Sequence, residues 1–134
     1  MLAKASGADV IIFDTVDHSL AMARELGADE AVNSSMADPV AAAIAFAGGR
    51  GADLVFECAG GPSMPTTLPL ATKMARRGSK VVIVGGFEEG ETSIALEWQQ
   101  IQKSEIQLIP SASFAMHGIY RSRGRCSSLS RAAS

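Results

Sequence analysis

Short apolar runs alternate with helix-like segments along most of this 134-residue chain. The runs consist mainly of Val, Ile, Leu and Phe and are bounded by Gly, Pro, Asp or Ser, a pattern typical of strands buried on both faces. The segments between the runs repeat apolar residues at helical spacing. Strands that alternate with helices in this way predict an α/β fold, namely a doubly wound parallel sheet covered by helices on both faces.

The same pattern sets the bounds of the predicted elements. It predicts strands over residues 9–15, 30–35, 52–61, 79–87 and 106–114. It predicts helices over residues 18–28, 38–49 and 63–78, and a helical turn or two within residues 93–105.

Four residues refine these elements. Asp38 can cap the second helix, and Pro39 suits its first turn. Pro69 would kink the third helix, because proline removes an interior hydrogen bond. Pro110 cannot donate to a sheet ladder, so the last strand is predicted to lie at an edge or to contain a bulge.

Asp14 ends the first predicted strand, and open parallel sheets bind ligands at the carboxyl ends of their strands. In a dinucleotide-binding fold, a carboxylate at the end of the second strand accepts hydrogen bonds from the adenosine ribose. Its charge also repels a 2′-phosphate, which favours NAD over NADP. No arginine follows Asp14 before Arg24. The alternative is an acid that simply reaches solvent where a strand ends.

Small residues end two further predicted strands, in "FECAGG" and "VIVGGF". Small side chains let a flat ring or a sugar approach the backbone, so their repetition at successive strand ends favours a ligand cleft. Glu57 either faces this cleft or lies in a loop. Nothing near Cys58 in the sequence would activate it, so we predict a buried, inert thiol.

Composition narrows the class of protein. The chain is 47% hydrophobic and has a net charge of −2, which allows a core and argues against a nucleic-acid surface. No apolar run approaches the roughly 20 residues that span a bilayer, and no signal-peptide pattern is present. The two histidines, His18 and His117, and the two cysteines form no metal-binding pattern. These features predict a cytoplasmic protein with no nucleic-acid partner, no membrane partner and no metal ligands in this chain.

Five segments resemble the cofactor-binding domain of zinc-type, medium-chain alcohol and polyol dehydrogenases. They are "AKASGADVIIFD", "ARELGADEAVNSS", "GGRGADLVFECAGG", "GSKVVIVGGF" and the strand end "SASF", within residues 3–118. The resemblance implies relatives among the sorbitol, butanediol or threonine dehydrogenases. The resemblance implies an NAD-dependent hydride transfer on a small alcohol or polyol, and a homo-oligomer formed through the last strand.

The resemblance also implies roles for individual residues. Asp14 would bind the adenosine ribose, although Ser19 stands where the family often has a basic residue that helps. The other implied contacts fall into three groups: Cys58, Ala59 and Gly60 line the adenine and ribose side, Val84, Gly85 and Gly86 contact the nicotinamide end, and Ala112, Ser113 and Phe114 flank the carboxamide.

Two family features are not found in the 134 residues. The glycine-rich G-x-G-x-x-G loop and its preceding strand would come before "LAKASGAD", and the zinc ligands belong to a catalytic domain further upstream. We therefore expect residues 1–118 to form an incomplete Rossmann-like domain with its central strand absent, which binds NAD weakly or not at all and has no dehydrogenase activity. Zinc is expected only in the full-length family.

The end of the chain departs from the family. Residues 119–134 contain four of the eight arginines and no acid, without an apolar stripe. A basic, disordered tail is one interpretation, and a frameshift near Tyr120 is the other.

Other functions remain open from the sequence. A quinone-reductase-like oxidoreductase needs no zinc and shares this half of the molecule. A non-catalytic nucleotide-binding remnant would keep the same residues. A methyltransferase that uses adenosylmethionine also places an acid at the second strand end, but the paired "GGRGADLVFE" and "KVVIVGGF" segments argue against it.

Overall fold

A computed structural model describes residues 2–86 and 93–111. None of the helices in these two ranges is long and apolar enough to cross a membrane. The helices are α1 (Leu2–Ala5), α2 (Asp17–Glu25), α3 (Pro39–Phe46), α4 (Met64–Met74) and α5 (Trp98–Lys103). The strands are β1 (Ile11–Asp14), β2 (Glu30–Asn33), β3 (Ala52–Glu57), β4 (Ala75–Ile83) and β5 (Gln107–Pro110), and a short 3-10 turn covers Gly61–Ser63.

The described strands form two parallel sheets. In the first sheet β1 pairs with β2, and Asp14 lies opposite Asn33. In the second sheet β4 lies between β3 and β5, so that Ile83 is opposite Glu57 on one side and Pro110 on the other. Every pair is parallel, which confirms the predicted doubly wound α/β fold.

The sheet is interrupted between β1 and β3. Helix α3 contacts β1 and β2, α4 contacts β3 and β4, and the two helices also contact each other. The two sheets therefore lie beneath a pair of touching helices, and no hydrogen-bonded strand joins β1 to β3 in the described residues. Leu54 and Phe56 of β3 are 45% and 55% exposed, although their strand has the sequence of one buried on both faces. The sequence predicts an absent strand at this place, and the interruption agrees with it.

The larger core lies under the second sheet. Three residues of α4 recur at helical spacing and point into it, so this helix buries one face against β4 and α5. The buried members of the core are Met64, Leu68, Ala71, Val81, Ile101 and Ile106.

The boundary between α4 and β4 differs from the prediction. The helix was expected to continue to residue 78, but α4 ends at Met74 and β4 begins at Ala75 without a connecting loop. Gly51 lies against this junction: it has φ +84°, and a Cβ atom on it would lie only 2.8 Å from the carbonyl oxygen of Met74. Ala52 then pairs with Ala75 in the sheet. Gly78, at φ +71°, lies in the irregular stretch before the ladder resumes.

Two other local predictions are confirmed, namely the cap of α3 and the edge position of Pro110. The Oδ1 atom of Asp38 accepts hydrogen bonds from the backbone N–H of Val40 at 2.9 Å and of Ala41 at 3.3 Å, which caps α3. Pro110 lies in β5, an edge strand of the second sheet. Pro69 lies inside α4, which continues to Met74, and the kink predicted there stays a prediction.

Candidate functional site

The predicted site residues lie at the carboxyl ends of parallel strands. Asp14 is the last residue of β1, and Glu57 is the last residue of β3. The loop after β3 and the residues after Ile83 of β4 lie at the same edge of the second sheet, since these strands pair in parallel. The structure brings residues 58–60 and 84–86 together, whereas Asp14 ends a strand of the other sheet.

Asp14 is half-buried and held at its backbone and on one side-chain oxygen. Its Oδ1 atom accepts a hydrogen bond from the Val16 N–H at 2.9 Å, and its carbonyl oxygen accepts one from the Ser34 N–H at 3.0 Å. Its Oδ2 atom accepts none from the residues that the structure describes. One carboxylate oxygen is therefore available to a hydroxyl group, as ribose binding requires.

The cationic side chain nearest in sequence after Asp14 is already engaged. Arg24 lies on α2 and donates a hydrogen bond through Nη2 to the carbonyl oxygen of Ala31 in β2. A second acid, Asp17, accepts a hydrogen bond from Asn33 at 2.7 Å beside the end of β1. The surroundings of Asp14 are therefore acidic rather than basic.

Two glycines allow the loops after β3 and β4 to touch. Gly60 has φ +62°, and a Cβ atom on it would lie 2.9 Å from the nitrogen of Gly86. A Cβ atom on Gly85 would lie 2.5 Å from the nitrogen of Gly60. The Gly61 N–H also donates to the carbonyl oxygen of Gly86 at 2.7 Å. We call the surface formed by residues 58–60 and 84–86 the strand-end face.

Glu57 supports the strand-end face from inside. It is only 3% exposed, and its Oε1 atom accepts hydrogen bonds from the Ala59 N–H at 3.1 Å, the Gly60 N–H at 3.3 Å and the Thr67 hydroxyl at 2.7 Å. Its backbone carbonyl accepts the N–H groups of the residues after β4, at 2.8 Å from Val84 and 3.0 Å from Gly85. One residue therefore binds both loops and the first turns of α4.

Sequence reasoning left the direction of Glu57 open and missed Thr67. Glu57 faces inward, since its carboxylate lies against the following loop and α4. The available signal was an acid at the end of an apolar strand, followed by small residues and then by a hydroxyl residue in the next helix.

Cys58 corrects a prediction, because its side chain is exposed rather than buried. Partial desolvation of the sulfur raises the pKa of the Cys58 thiol, and the adjacent Glu57 carboxylate raises that pKa further. Both causes favour the neutral thiol over the nucleophilic thiolate. Partial desolvation and the neighbouring carboxylate therefore both support the prediction of an inert thiol, although the side chain is exposed and not fully buried.

The remaining predicted contacts are only partly described. Val84 is 46% exposed and Gly86 is exposed at the end of β4, so both are accessible to a ligand. Ala112, Ser113 and Phe114, together with the tail after residue 118, lie outside the described residues. In residues 2–86 and 93–111, no three His, Cys, Asp or Glu side chains come together as a metal site. The described residues therefore do not fit zinc.

Comparison with known proteins gives consistent matches. The family model described as zinc-binding dehydrogenase matches residues 1–125. An L-threonine 3-dehydrogenase of Symbiobacterium thermophilum is 34% identical over 85 residues, a match that covers 63% of this chain and 23% of that protein.

Solved structures are similar over most of the chain. Benzyl alcohol dehydrogenase from Acinetobacter calcoaceticus has a TM-score of 0.74 at 25% identity, covering 82% of this chain and 29% of the other. A zinc-binding dehydrogenase from Sinorhizobium meliloti, solved with NADP bound, has a TM-score of 0.70 at 32% identity, covering 82% and 32%. The chain thus spans about a quarter to a third of the length of these proteins.

Proposed function

The chain belongs to the zinc-binding dehydrogenase family, and on that premise we propose that it holds the nicotinamide dinucleotide of an alcohol or polyol dehydrogenase. The proposal rests on the strand-end face. There the backbones of two glycines, Gly60 and Gly85, meet with no side chain between them, and the exposed side chain of Val84 lies beside this contact. A flat ring or a sugar can approach such a surface closely. When bound, NAD supplies the hydride acceptor, and the residues of this chain bind and orient it.

Asp14 is proposed to hold the adenosine ribose and to favour NAD over NADP. Its free Oδ2 atom fits a ribose hydroxyl, and its charge opposes a 2′-phosphate. The engagement of Arg24 with Ala31 supports this choice, because the guanidinium is already bonded to a backbone carbonyl. The NADP in the Sinorhizobium meliloti structure is a property of that protein.

The other end of the cofactor is proposed to lie on the strand-end face. Cys58, Ala59 and Gly60 would line the ribose side, and Val84, Gly85 and Gly86 would contact the nicotinamide. Ala112, Ser113 and Phe114 are proposed to flank the carboxamide. No step is assigned to zinc within the described residues.

The 134 residues by themselves are proposed to bind NAD weakly or not at all and to lack dehydrogenase activity. They contain no G-x-G-x-x-G sequence, so backbone N–H groups of such a loop are not supplied to the pyrophosphate. In the described residues β1 and β3 each pair with only one strand, which leaves backbone groups on the other side of each strand without a sheet partner. We propose that residues 1–118 form the partial NAD-binding domain and that residues 119–134 form a separate tail.

A homo-oligomer is proposed through β5. This strand is an edge of the second sheet, and an edge can pair with its copy across a two-fold axis. Pro110 removes one donor from the edge but leaves the carbonyl groups.

A titration with NAD and NADP, followed by amide NMR of the 134-residue chain, tests the cofactor proposal. We expect binding that is weak at most, with any NAD-induced shifts at residue 14, residues 58–60 and residues 84–86, and smaller shifts with NADP. The variant Asp14→Asn should lose the preference for NAD, while Asp9→Asn serves as an exposed control. Shifts confined to other residues would overturn the site, and zinc-dependent alcohol oxidation by the chain would overturn the proposed inactivity. Reduction of a quinone would favour the quinone-reductase alternative.

A further inference from the structure

Glu57 has one carboxylate oxygen that the described contacts do not use. Oε1 accepts three hydrogen bonds, whereas Oε2 is buried and has no hydrogen-bond partner among the described residues. Oε2 faces Gly85, because a Cβ atom on that glycine would lie 2.5 Å from it. A buried carboxylate thus lies directly behind the strand-end face.

Four N–H groups of the strand-end face are turned inward. Ala59 and Gly60 donate to the Glu57 side chain, and Val84 and Gly85 donate to its carbonyl oxygen. Anion-binding loops in proteins work in the opposite way, since they direct successive free N–H groups at the ligand. These four donors are therefore not available to a phosphate.

We propose that Glu57 is a specificity-determining residue that reserves the strand-end face for hydrogen-bond-donating groups without negative charge and excludes phosphate. The inference rests on the proposed function and deepens it. It assigns to this face the amide and hydroxyl parts of the cofactor and denies it the pyrophosphate. Glu57 acts in two ways: it consumes the donors that would bind an anion, and it places a negative charge behind the surface.

The charge of Glu57 gives this residue a role beyond holding the two loops in place. The charge of a buried carboxylate is weakly screened and acts on anions at the adjoining surface. If Glu57 only held the loops in place, its removal would weaken binding of every ligand equally. If it selects ligands, its neutralisation changes the ratio between an anion and an uncharged ligand.

The experiment compares two small probes, inorganic phosphate and nicotinamide, by amide NMR titration of the 134-residue chain. In the wild-type chain we expect nicotinamide to shift the amides of Ala59, Gly60 and Gly85, and phosphate to leave them unchanged. In Glu57→Gln, which keeps an oxygen acceptor but removes the charge, we expect the affinity for phosphate relative to nicotinamide to rise by about tenfold. Thr67→Val is the control: it removes a hydrogen bond to Glu57 but keeps the charge, so phosphate should stay excluded.

Each result decides the inference. Phosphate-induced shifts in the wild-type chain overturn it, as does a failure of nicotinamide to bind at the strand-end face. Equal changes for both probes in Glu57→Gln reduce Glu57 to a structural role. A gain of phosphate binding in Thr67→Val would mean that the ordering of the loops, and not the charge of Glu57, excludes phosphate. The titrations of Thr67→Val and of the wild-type chain can therefore overturn the inference even if Glu57→Gln does not fold. Since neither probe requires NAD to bind, the selectivity can hold even if the NAD titration fails.

Discussion

Gly60 and Gly85 lie in backbone contact, close enough that a Cβ atom on Gly85 would be 2.6 Å from the Cα atom of Gly60. Neither position leaves room for a side chain, so the loops after β3 and β4 meet only because both residues are glycines. The contact brings residues 58–60 and 84–86 into one surface. Its integrity can be tested without any ligand.

The first prediction concerns this contact. Gly85→Ala should lower the free energy of unfolding by about 3 kcal/mol, because the added methyl group overlaps backbone atoms and the carboxylate of Glu57. Gly86→Ala is the matched control, since a Cβ atom there meets nothing within 4 Å, and its cost should stay within about 0.5 kcal/mol. Urea unfolding of both variants measures the difference. Equal stabilities would contradict the close packing.

The second prediction concerns the hydrogen bond between Thr67 and Glu57. Thr67→Val should lower the free energy of unfolding by about 2 kcal/mol, because it leaves a buried carboxylate with one donor fewer. Thr66→Val makes the same change at the preceding, exposed position of α4 and should cost less than about 0.5 kcal/mol. Thermal unfolding of the pair compares them. A neutral Thr67→Val would mean that the hydroxyl does not stabilise the strand end.

The third prediction concerns stability in acid. The hydrogen bond from Lys4 and then that from the Val10 N–H hold the pKa of Asp29 below its ordinary value of 3.8. Arg76 lowers the pKa of Asp53 from the same value. A carboxylate with a lowered folded-state pKa stabilises the fold above its ordinary pKa and loses this contribution as the pH falls through the folded-state value. The unfolding midpoint should therefore fall as the pH drops below about 4.

A charge-neutral variant isolates the part of this acid dependence that belongs to Asp29. Asp29→Asn should reduce stability at neutral pH and make its fall in acid shallower. Glu25→Gln, an exposed position on α2, should leave the profile unchanged. Unfolding midpoints measured between neutral pH and acid compare the two variants. Parallel profiles for Asp29→Asn and the wild-type chain would contradict the role of the Lys4 contact.

The fourth prediction concerns the edge strand β5. If the chain pairs through this edge, light scattering should give the mass of a dimer, and Ile109→Lys should shift it to a monomer, since a charge at an edge opposes pairing. Met36→Lys adds the same charge at a residue that is 83% exposed and away from β5 in the sequence, and it should leave the mass unchanged. A monomeric wild-type chain would show that the proposed interface is wrong.

The strands could be predicted from the sequence because the amino-acid composition of each apolar run is itself typical of a strand. Ile11–Asp14 and Ala52–Glu57 are short apolar runs that end on an acid, and the structure places both where they were expected. The cap of α3 was also predictable, since Asp38 is followed directly by a proline at the first turn. These signals are local, and the fold does not override them.

The errors arise where distant residues decide the local structure. Ala75 and Arg76 follow a helical pattern, but the close approach of Gly51 and the pairing of Ala52 with Ala75 make this stretch extended. The exposure of Cys58 depends on how the loop after β3 turns, which the neighbouring residues do not specify. The contact between Glu57 and Thr67 likewise depends on the packing of α4 against the end of β3.

The direct junction of α4 and β4 has a mechanical consequence. The side chain of Glu57 is hydrogen-bonded to Thr67 on α4, and α4 continues into β4 at Met74 and Ala75. Gly85, which follows β4, donates a hydrogen bond back to the carbonyl oxygen of Glu57. This is a closed circuit in which the helix and the strand join without a loop, although β4 is irregular near Gly78. A one-residue insertion at the junction would move the side chains of the following strand to its other face. A displacement of the strand-end face would also have to move α4, because Thr67 and the junction join the two.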